Sequence, residues 1–246
     1  MDKDVVFEGP YGPLPGVITF ARNVEARKKV LILCHGFRGS MESGGRAPGL
    51  ARMASEYCHV VRFNFSWCTL LSRQVEELKA VIDQVRRQFR PEKLYLLGRS
   101  LGGATVVITA CGDDRYRPDG MILWATPASL PRTFVNVLGE ERFKELRGGK
   151  DMWMEDERGR DLIRSEFVRE IDNYDINGLL QKWEAPPVLV IHGGKDEVVS
   201  PDQAADNSRA LGEKATLTYI PEGDHSFTQH GDEAAEIVVR WLKEHV

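Results

Sequence analysis

Apolar residues fall along the chain in short, dense runs separated by longer stretches with helical spacing. The runs cover residues 17–20, 30–34, 60–65, 94–97, 121–124, 188–191 and 217–220. Several are apolar at nearly every position, as in strands buried on both faces rather than half-exposed strands that alternate. Between the runs, Val75, Leu78, Ile82, Val85 and Phe89 recur every three or four residues, and Pro91 ends that helix. Ala234, Ile237, Val238, Trp241 and Leu242 make the apolar face of another helix. Strands alternating with helices predict an α/β protein, a mostly parallel sheet with helices on both faces. Residues 5–22 read differently. Gly9-Pro10, Gly12-Pro13 and Pro15-Gly16 punctuate them and predict a hairpin at the sheet edge.

The alternation lapses over residues 128–182, where no run is dense enough for a core strand. Phe134, Val137, Leu138, Phe143, Met152, Trp153, Met154 and Phe167 are scattered there among charges. A small hairpin is predicted over 151–155 and 161–164, turning at Glu157-Arg158-Gly159, followed by a helix over 165–172. A long interruption between two strands of one sheet is expected to be a functional element. The chain therefore divides into a core, residues 1–127 and 183–246, and a small inserted lid, 128–182. The lid aromatics have two readings. They pack the lid onto the sheet, or some of them, with Phe134 and Trp153 as candidates, roof an apolar substrate pocket.

Chemistry is concentrated in Gly98-Arg99-Ser100-Leu101-Gly102-Gly103, which follows the run 94–97 and precedes a helical stretch at 104–110. Gly-x-Ser-x-Gly between a strand and a helix is the nucleophile-elbow pattern. An abrupt strand-to-helix turn strains the serine backbone and leaves no room for side chains two residues to either side. The following helix N-terminus favours negative charge at the same spot. A serine hydroxyl needs a base, and the chain has six histidines. His225 lies after the last strand, in a loop expected at the carboxyl ends of the strands, where open sheets place their ligands. It is the candidate base, with His230 in reserve. His35 and His192 are expected to shape turns, His59 to be structural and His245 solvated. Asp196, in the loop after the run 188–191, is the candidate orienting acid, and its neighbour Glu197 is the rival. Ser100, Asp196, His225 is the chain order that accompanies this elbow.

With these residues in hand, the chain resembles the α/β-hydrolase superfamily over nearly its whole length. The order of features is similar to that of compact carboxylesterases, which include cinnamoyl (feruloyl) esterases and monoacylglycerol-lipase-like enzymes. His35-Gly36-Phe37, the Ser100 elbow, the stretch 193–196 and Gly223-Asp224-His225 carry the resemblance. It implies the α/β-hydrolase fold and an oxyanion hole made by the backbone N–H groups of Phe37 and Leu101. Two positions depart from the pattern. Asn64-Phe65-Ser66-Trp67-Cys68-Thr69 stands where related enzymes usually carry an Asp and a Gly-rich turn, and Trp67 is the candidate to fill that wall. Arg99 precedes the nucleophile where many relatives have His. The implied activity is hydrolysis of small to medium acyl or aromatic carboxylic esters through an acyl-enzyme. Thioesterase, amidase or peptidase chemistry would use the same triad, and an acyltransferase or a non-catalytic binding module are further alternatives.

Composition narrows the partners. With 33 basic and 37 acidic residues the net charge is −4, so there is no cationic excess to neutralise phosphates, and nucleic acid is excluded as a partner. No apolar run approaches the ~20 residues of a membrane span. The start, Met1-Asp2-Lys3-Asp4, leads into no apolar stretch, so a secretory signal is not expected. Four cysteines, Cys34, Cys58, Cys68 and Cys111, lack the spacing of a disulfide scaffold or zinc site and are expected to be reduced, in a cytoplasmic protein. The expected partner is a small-molecule ester, with no metal or organic cofactor.

Overall fold

The structure is a computed structural model that describes residues 1–66, 70–156, 158–184 and 186–245. The dense runs become strands of one sheet. In chain order the strands are β1 (Asp2–Gly9), β2 (Gly12–Thr19), β3 (Lys29–Cys34), β4 (His59–Phe63), β5 (Lys93–Arg99), β6 (Gly120–Trp124), β7 (Met152–Asp156), β8 (Gly159–Ile163), β9 (Val188–Gly193) and β10 (Ala215–Ile220). Eight of them form a sheet in the order β1-β2-β4-β3-β5-β6-β9-β10. The expected hairpin, β1–β2, lies at one edge and is antiparallel, as is the β2–β4 pairing. From β4 to β10 every pairing is parallel. The fold class read from the sequence is therefore the one observed.

The helices are α1 (Arg46–Ala54), α2 (Leu71–Phe89), α3 (Leu101–Gly112), α4 (Leu130–Leu138), α5 (Glu140–Arg147), α6 (Ser165–Ile171), α7 (Ile176–Gln181), α8 (Asp202–Leu211) and α9 (Gly231–His245). They cover both faces of the sheet, which explains the unbroken apolar runs. Along β3, Val30, Ile32 and Cys34 point into a core shared with α2, α3 and α8. Leu31 and Leu33 point the other way, into a core shared with α1 and α9. Helix α2 ends at Arg90, which takes a left-handed conformation (φ 47°) and donates its N–H to the Arg86 carbonyl. Pro91 then bars continuation, because a residue before proline disfavours helical geometry.

Residues 128–182 contain α4, α5, the β7–β8 hairpin, α6 and α7, all between β6 and β9. Phe134, Ile163, Phe167, Ile171, Ile176 and Leu180 join the same hydrophobic cluster as the sheet face above α2 and α3. Cys34, Cys58 and Cys111 are free thiols, and Cys68 lies outside the described residues. Among the described residues no helix is long and apolar enough to cross a membrane.

Candidate active site

β5 delivers Ser100 at its carboxyl end with φ 53° and ψ −124°, a conformation that an L-residue adopts only under constraint. The constraint comes from the neighbours. A Cβ on Gly98 would lie 2.3 Å from the Gly102 carbonyl oxygen, and one on Gly102 would lie 2.4 Å from the carbonyl oxygens of Cys34 and His35. The chain can reverse this tightly only where both positions lack side chains. The Ser100 N–H is tied to the Trp124 carbonyl at 2.8 Å, which locks the turn to β6. The loop His35-Gly36-Phe37 passes over the same point, with the Gly36 Cβ position 3.0 Å from Ser100 Cβ. Ser100 is buried, and its Oγ has no hydrogen-bond partner among the described residues. The backbone N–H groups of Leu101, first residue of α3, and of Phe37 also donate to no protein group described.

The candidate acid and base come from the carboxyl ends of β9 and β10, two and three strands along the sheet from β5. Asp196 follows β9, and its Oδ1 accepts the N–H groups of Val198 (2.9 Å) and Val199 (2.8 Å). His225 follows β10 and places Nδ1 3.0 and 2.8 Å from the two Asp196 carboxylate oxygens. Their loops are knitted through backbone: Gly194 N–H bonds the Ile220 carbonyl and Lys195 N–H the Gly223 carbonyl. With Nδ1–H donating to Asp196, His225 Nε2 is left as a proton acceptor. Burial alone would raise the Asp196 carboxyl, but hydrogen bonds from His192 and His225 outweigh it and hold it below the ordinary carboxylate range.

His192 is a member that sequence reasoning did not place at the site. Its fully buried Nε2 lies 3.2 Å from Asp196 Oδ2 and 2.7 Å from the Val199 carbonyl. Its position four residues before Asp196 on a buried strand was the signal available. His35 does shape a turn. Its Nδ1 donates to the Gly36 carbonyl and its Nε2 accepts the Phe65 N–H at 3.1 Å. Burial, partly opposed by the Gly36 bond and aided by the Arg99 charge, pushes its pKa down to about 4. His59 accepts the Ala21 N–H in the core, as expected of a structural residue. His245 is partly exposed, and its ring stacks on Trp241 at 4.4 Å. Glu197 is exposed and His230 sits at the start of α9, and neither bonds the Asp196–His225 pair.

The substrate-pocket candidates are dispersed. Phe134 is 2% exposed and packs against Phe37 (5.1 Å) and Phe167 (4.8 Å), behind the loop that carries the Phe37 N–H. Trp153 is 55% exposed and carries the Arg160 guanidinium 4.5 Å over its ring. Trp67 lies outside the described residues. The cavity beside His225, about 570 Å³, is lined instead by Phe37, Arg38, Ser40, Arg46, Arg99, Arg158 and other polar residues. Neither Phe134 nor Trp153 lines it. The charge-rich lining of this cleft differs from the apolar pocket expected because long-range folding, not the aromatic content of residues 128–182, decides which side chains line it. No three His, Cys, Asp or Glu side chains among the described residues are placed to share a metal ion.

A model of the alpha/beta hydrolase family matches residues 31–238, a span that contains Ser100, Asp196 and His225. The chain belongs to the alpha/beta hydrolase family. Among curated proteins it is similar to the uncharacterized protein YfhR of Salmonella typhi, 26% identical over 159 residues. That match covers 61% of this chain and 47% of the relative, so the chain spans about half the length of the curated relatives it matches. Among solved structures it is similar to Est1E from Butyrivibrio proteoclasticus, with TM-score 0.82, 20% identity and 98% of each chain covered. Est1E has also been solved with ferulic acid bound, a structure similar to this one at TM-score 0.81, with 18% identity and 98% of each chain covered. XC6422 from Xanthomonas campestris, described as a serine hydrolase without lid, is similar at TM-score 0.70, with 22% identity and 99% and 94% of the two chains covered. Likeness at these identities shows the shared fold.

Within this family member, the Phe37 loop is tied to the β7–β8 hairpin by a side chain whose role the sequence did not announce. Arg38 is fully buried at its side chain, with Nε 2.5 Å from Asp161 Oδ2, one terminal nitrogen 2.6 Å from Asp156 Oδ2 and the other 2.6 Å from the Gly159 carbonyl.

Proposed function

We propose that this alpha/beta hydrolase cleaves carboxylic esters through a serine acyl-enzyme, with Ser100 as nucleophile, His225 as base and Asp196 as orienting acid. The observation that carries the reading is the Asp196–His225 pair, at 2.8 and 3.0 Å, at the same carboxyl edge of the parallel strands as the constrained Ser100. His225 Nε2 takes the Ser100 proton as Oγ attacks the ester carbonyl carbon. Asp196 holds the tautomer and stabilises the imidazolium. The N–H groups of Phe37 and Leu101, which have no protein partner among the described residues, donate to the oxyanion of the tetrahedral intermediate. Collapse breaks the C–O bond, and the imidazolium protonates the leaving alcohol. A water then attacks the acyl-enzyme, giving its proton to His225, and a second collapse returns the proton to Ser100. The Ser100–His225 hydrogen bond closes on substrate binding, as catalytic bonds commonly tighten in the Michaelis complex. Every step uses side chains and backbone of this chain, with no cofactor.

A cleft of about 570 Å³ beside His225 falls in the range that encloses one small molecule, which supports small to medium acyl or aromatic esters as substrates. Rates on p-nitrophenyl esters of rising acyl length, with a matched thioester and anilide, test the reading. Short esters are expected to turn over fastest, and Ser100→Ala to abolish turnover while keeping the wild-type circular dichroism spectrum. Wild-type rates in a folded Ser100→Ala protein would overturn it.

A further inference from the structure

The cleft that contains His225 and the Phe37 loop holds an imbalance of charge. Its charged lining residues are Arg38, Arg46, Arg99, Arg158 and Glu197. Arg38 is matched by Asp156 and Asp161, and Arg158 is matched by Asp156. Glu197 is exposed, at the rim. Arg46 and Arg99 have no carboxylate within ion-pair distance among the described residues. A second, smaller cavity of about 40 Å³, lined by Leu33, Leu50, Leu97 and Trp124, is also bordered by Arg46 and Arg99. The two arginines therefore stand between an apolar floor and the open cleft.

Each arginine is placed against its local interest. Arg99 extends one terminal nitrogen to the His225 carbonyl (3.1 Å) and Ser226 Oγ (3.4 Å), and its other N–H groups meet no protein acceptor described. Burial, reinforced by the nearby Arg46 charge and opposed by Asp196 and Asp224, lowers its pKa to about 10. It is still a cation at neutral pH, in a site where charges are ordinarily paired. Arg46 is the first residue of α1, where the helix dipole favours an anion over a cation. It makes no hydrogen bond to protein among the described residues, and its stem is held against Gly231 at the start of α9, whose Cβ position lies 2.9 Å from Arg46 Cδ. Asp224, the nearest unpaired acid by its electrostatic effect, is engaged by the Thr228 N–H at 2.8 Å. Local choices that conflict with local stability concentrate at functional sites.

We infer that Arg46 and Arg99 form an anion-binding subsite, so that the substrate is an ester carrying a carboxylate or phosphate group on the part that occupies this cleft. The inference rests on the ester-hydrolase reading of the same site. Guanidinium groups hold both anions with paired, directional N–H donors. An anion held there shares the cavity with His225 and Phe37, so it orients the scissile carbonyl rather than acting from a distance. The arrangement also explains why the cleft is polar while the aromatic residues of the neighbouring segment turn away from it.

The test compares esters that differ by one anionic group: 4-acetoxybenzoate against its methyl ester, monomethyl against dimethyl terephthalate, and 4-acetoxyphenyl phosphate against its dimethyl phosphate triester. The first two place a carboxylate on the alcohol and acyl sides, and the third separates phosphate from carboxylate. The anionic member is expected to have a kcat/KM about tenfold or more above its neutral partner in at least one pair. Arg46→Gln is expected to erase that ratio, and Arg240→Gln, at an exposed position of α9, to preserve it. Because Arg99 also braces the His225 loop, Arg46→Gln is the cleaner variant. Calorimetric titration of the Ser100→Ala protein with the anionic members adds a binding readout, expected to be lost when Arg46→Gln is introduced. Neutral esters hydrolysed as well as anionic ones in every pair, or a preference that survives Arg46→Gln, would overturn the subsite while leaving the hydrolase reading intact. Anion binding lost in the Arg46 variant of a protein that cleaves no ester would do the opposite.

Discussion

The strand ends that carry Ser100, Asp196 and His225 and the segment between β6 and β9 are held in place by opposite means. At the strand ends backbone meets backbone: Gly98 against Gly102, Gly193 against Gly223, Lys195 N–H to the Gly223 carbonyl. The segment 128–182 is instead fastened by side chains that reach far in sequence. Arg38 binds Asp156, Asp161 and the Gly159 carbonyl across more than a hundred residues. Glu170 receives the Leu71 and Ser72 N–H groups at the start of α2, at 2.7 and 3.1 Å. Backbone contacts fix atoms to a fraction of an ångström, as the proposed proton relay requires. Side-chain latches fix an element's position while leaving it replaceable.

Breaking the rigid side is expected to cost most. His225→Ala should lower ester kcat/KM by about 10⁴-fold or more, and Asp196→Asn by somewhat less, through the wrong imidazole tautomer. Glu197→Gln should have a far smaller effect, and a ranking with Glu197 above Asp196 would reassign the acid. Breaking the latch is expected to act on stability. Removing one partner of a buried ion pair costs roughly 3–5 kcal/mol. Urea denaturation of Arg38→Leu should show a loss of that order, with amide exchange in β7 and β8 speeding up first. Unchanged stability and exchange would mean the hairpin is held by its apolar contacts alone.

A third measurement separates the regions by pH. The His35 pKa falls from 6.5 when unfolded to about 4 when folded. Below 6.5 the unfolded chain takes up a proton that the folded one refuses. Stability linked to His35 is therefore complete above that pH and is lost as pH falls toward 4, by on the order of 3 kcal/mol. His35→Gln should flatten this part of the wild-type profile, and parallel profiles would remove His35 from the account. The smallest effect is expected at Trp153. Its exposed stacking with Arg160 is worth about 0.5–1 kcal/mol, so Trp153→Ala should shift stability by no more than that and alter ester selectivity little. A large change in acyl-length preference would bring Trp153 back to the substrate.

How far the sequence could be read follows the same division. The elbow, the two following loops and the parallel sheet were legible because each depends on neighbours in sequence: glycines beside Ser100, dense apolar runs, turns after strands. The β7–β8 hairpin was legible for the same reason, since Glu157-Arg158-Gly159 marks its turn locally. The environment of Phe134 was not. Its partners Phe37 and Phe167 lie far away in sequence, and an aromatic residue among charges gives no sign of which way it faces. His192 left only a faint mark, its spacing from Asp196, and the cleft shared by Arg46 and Arg99 left none, because the two arginines meet only through the fold.

The most direct test of the central claim is covalent. The folded protein treated with a fluorophosphonate, digested and mapped by mass spectrometry should carry one adduct, on Ser100, and His225→Ala should suppress labelling because the hydroxyl loses its base. An adduct on another residue, or labelling of Ser100 undiminished without His225, would contradict the account.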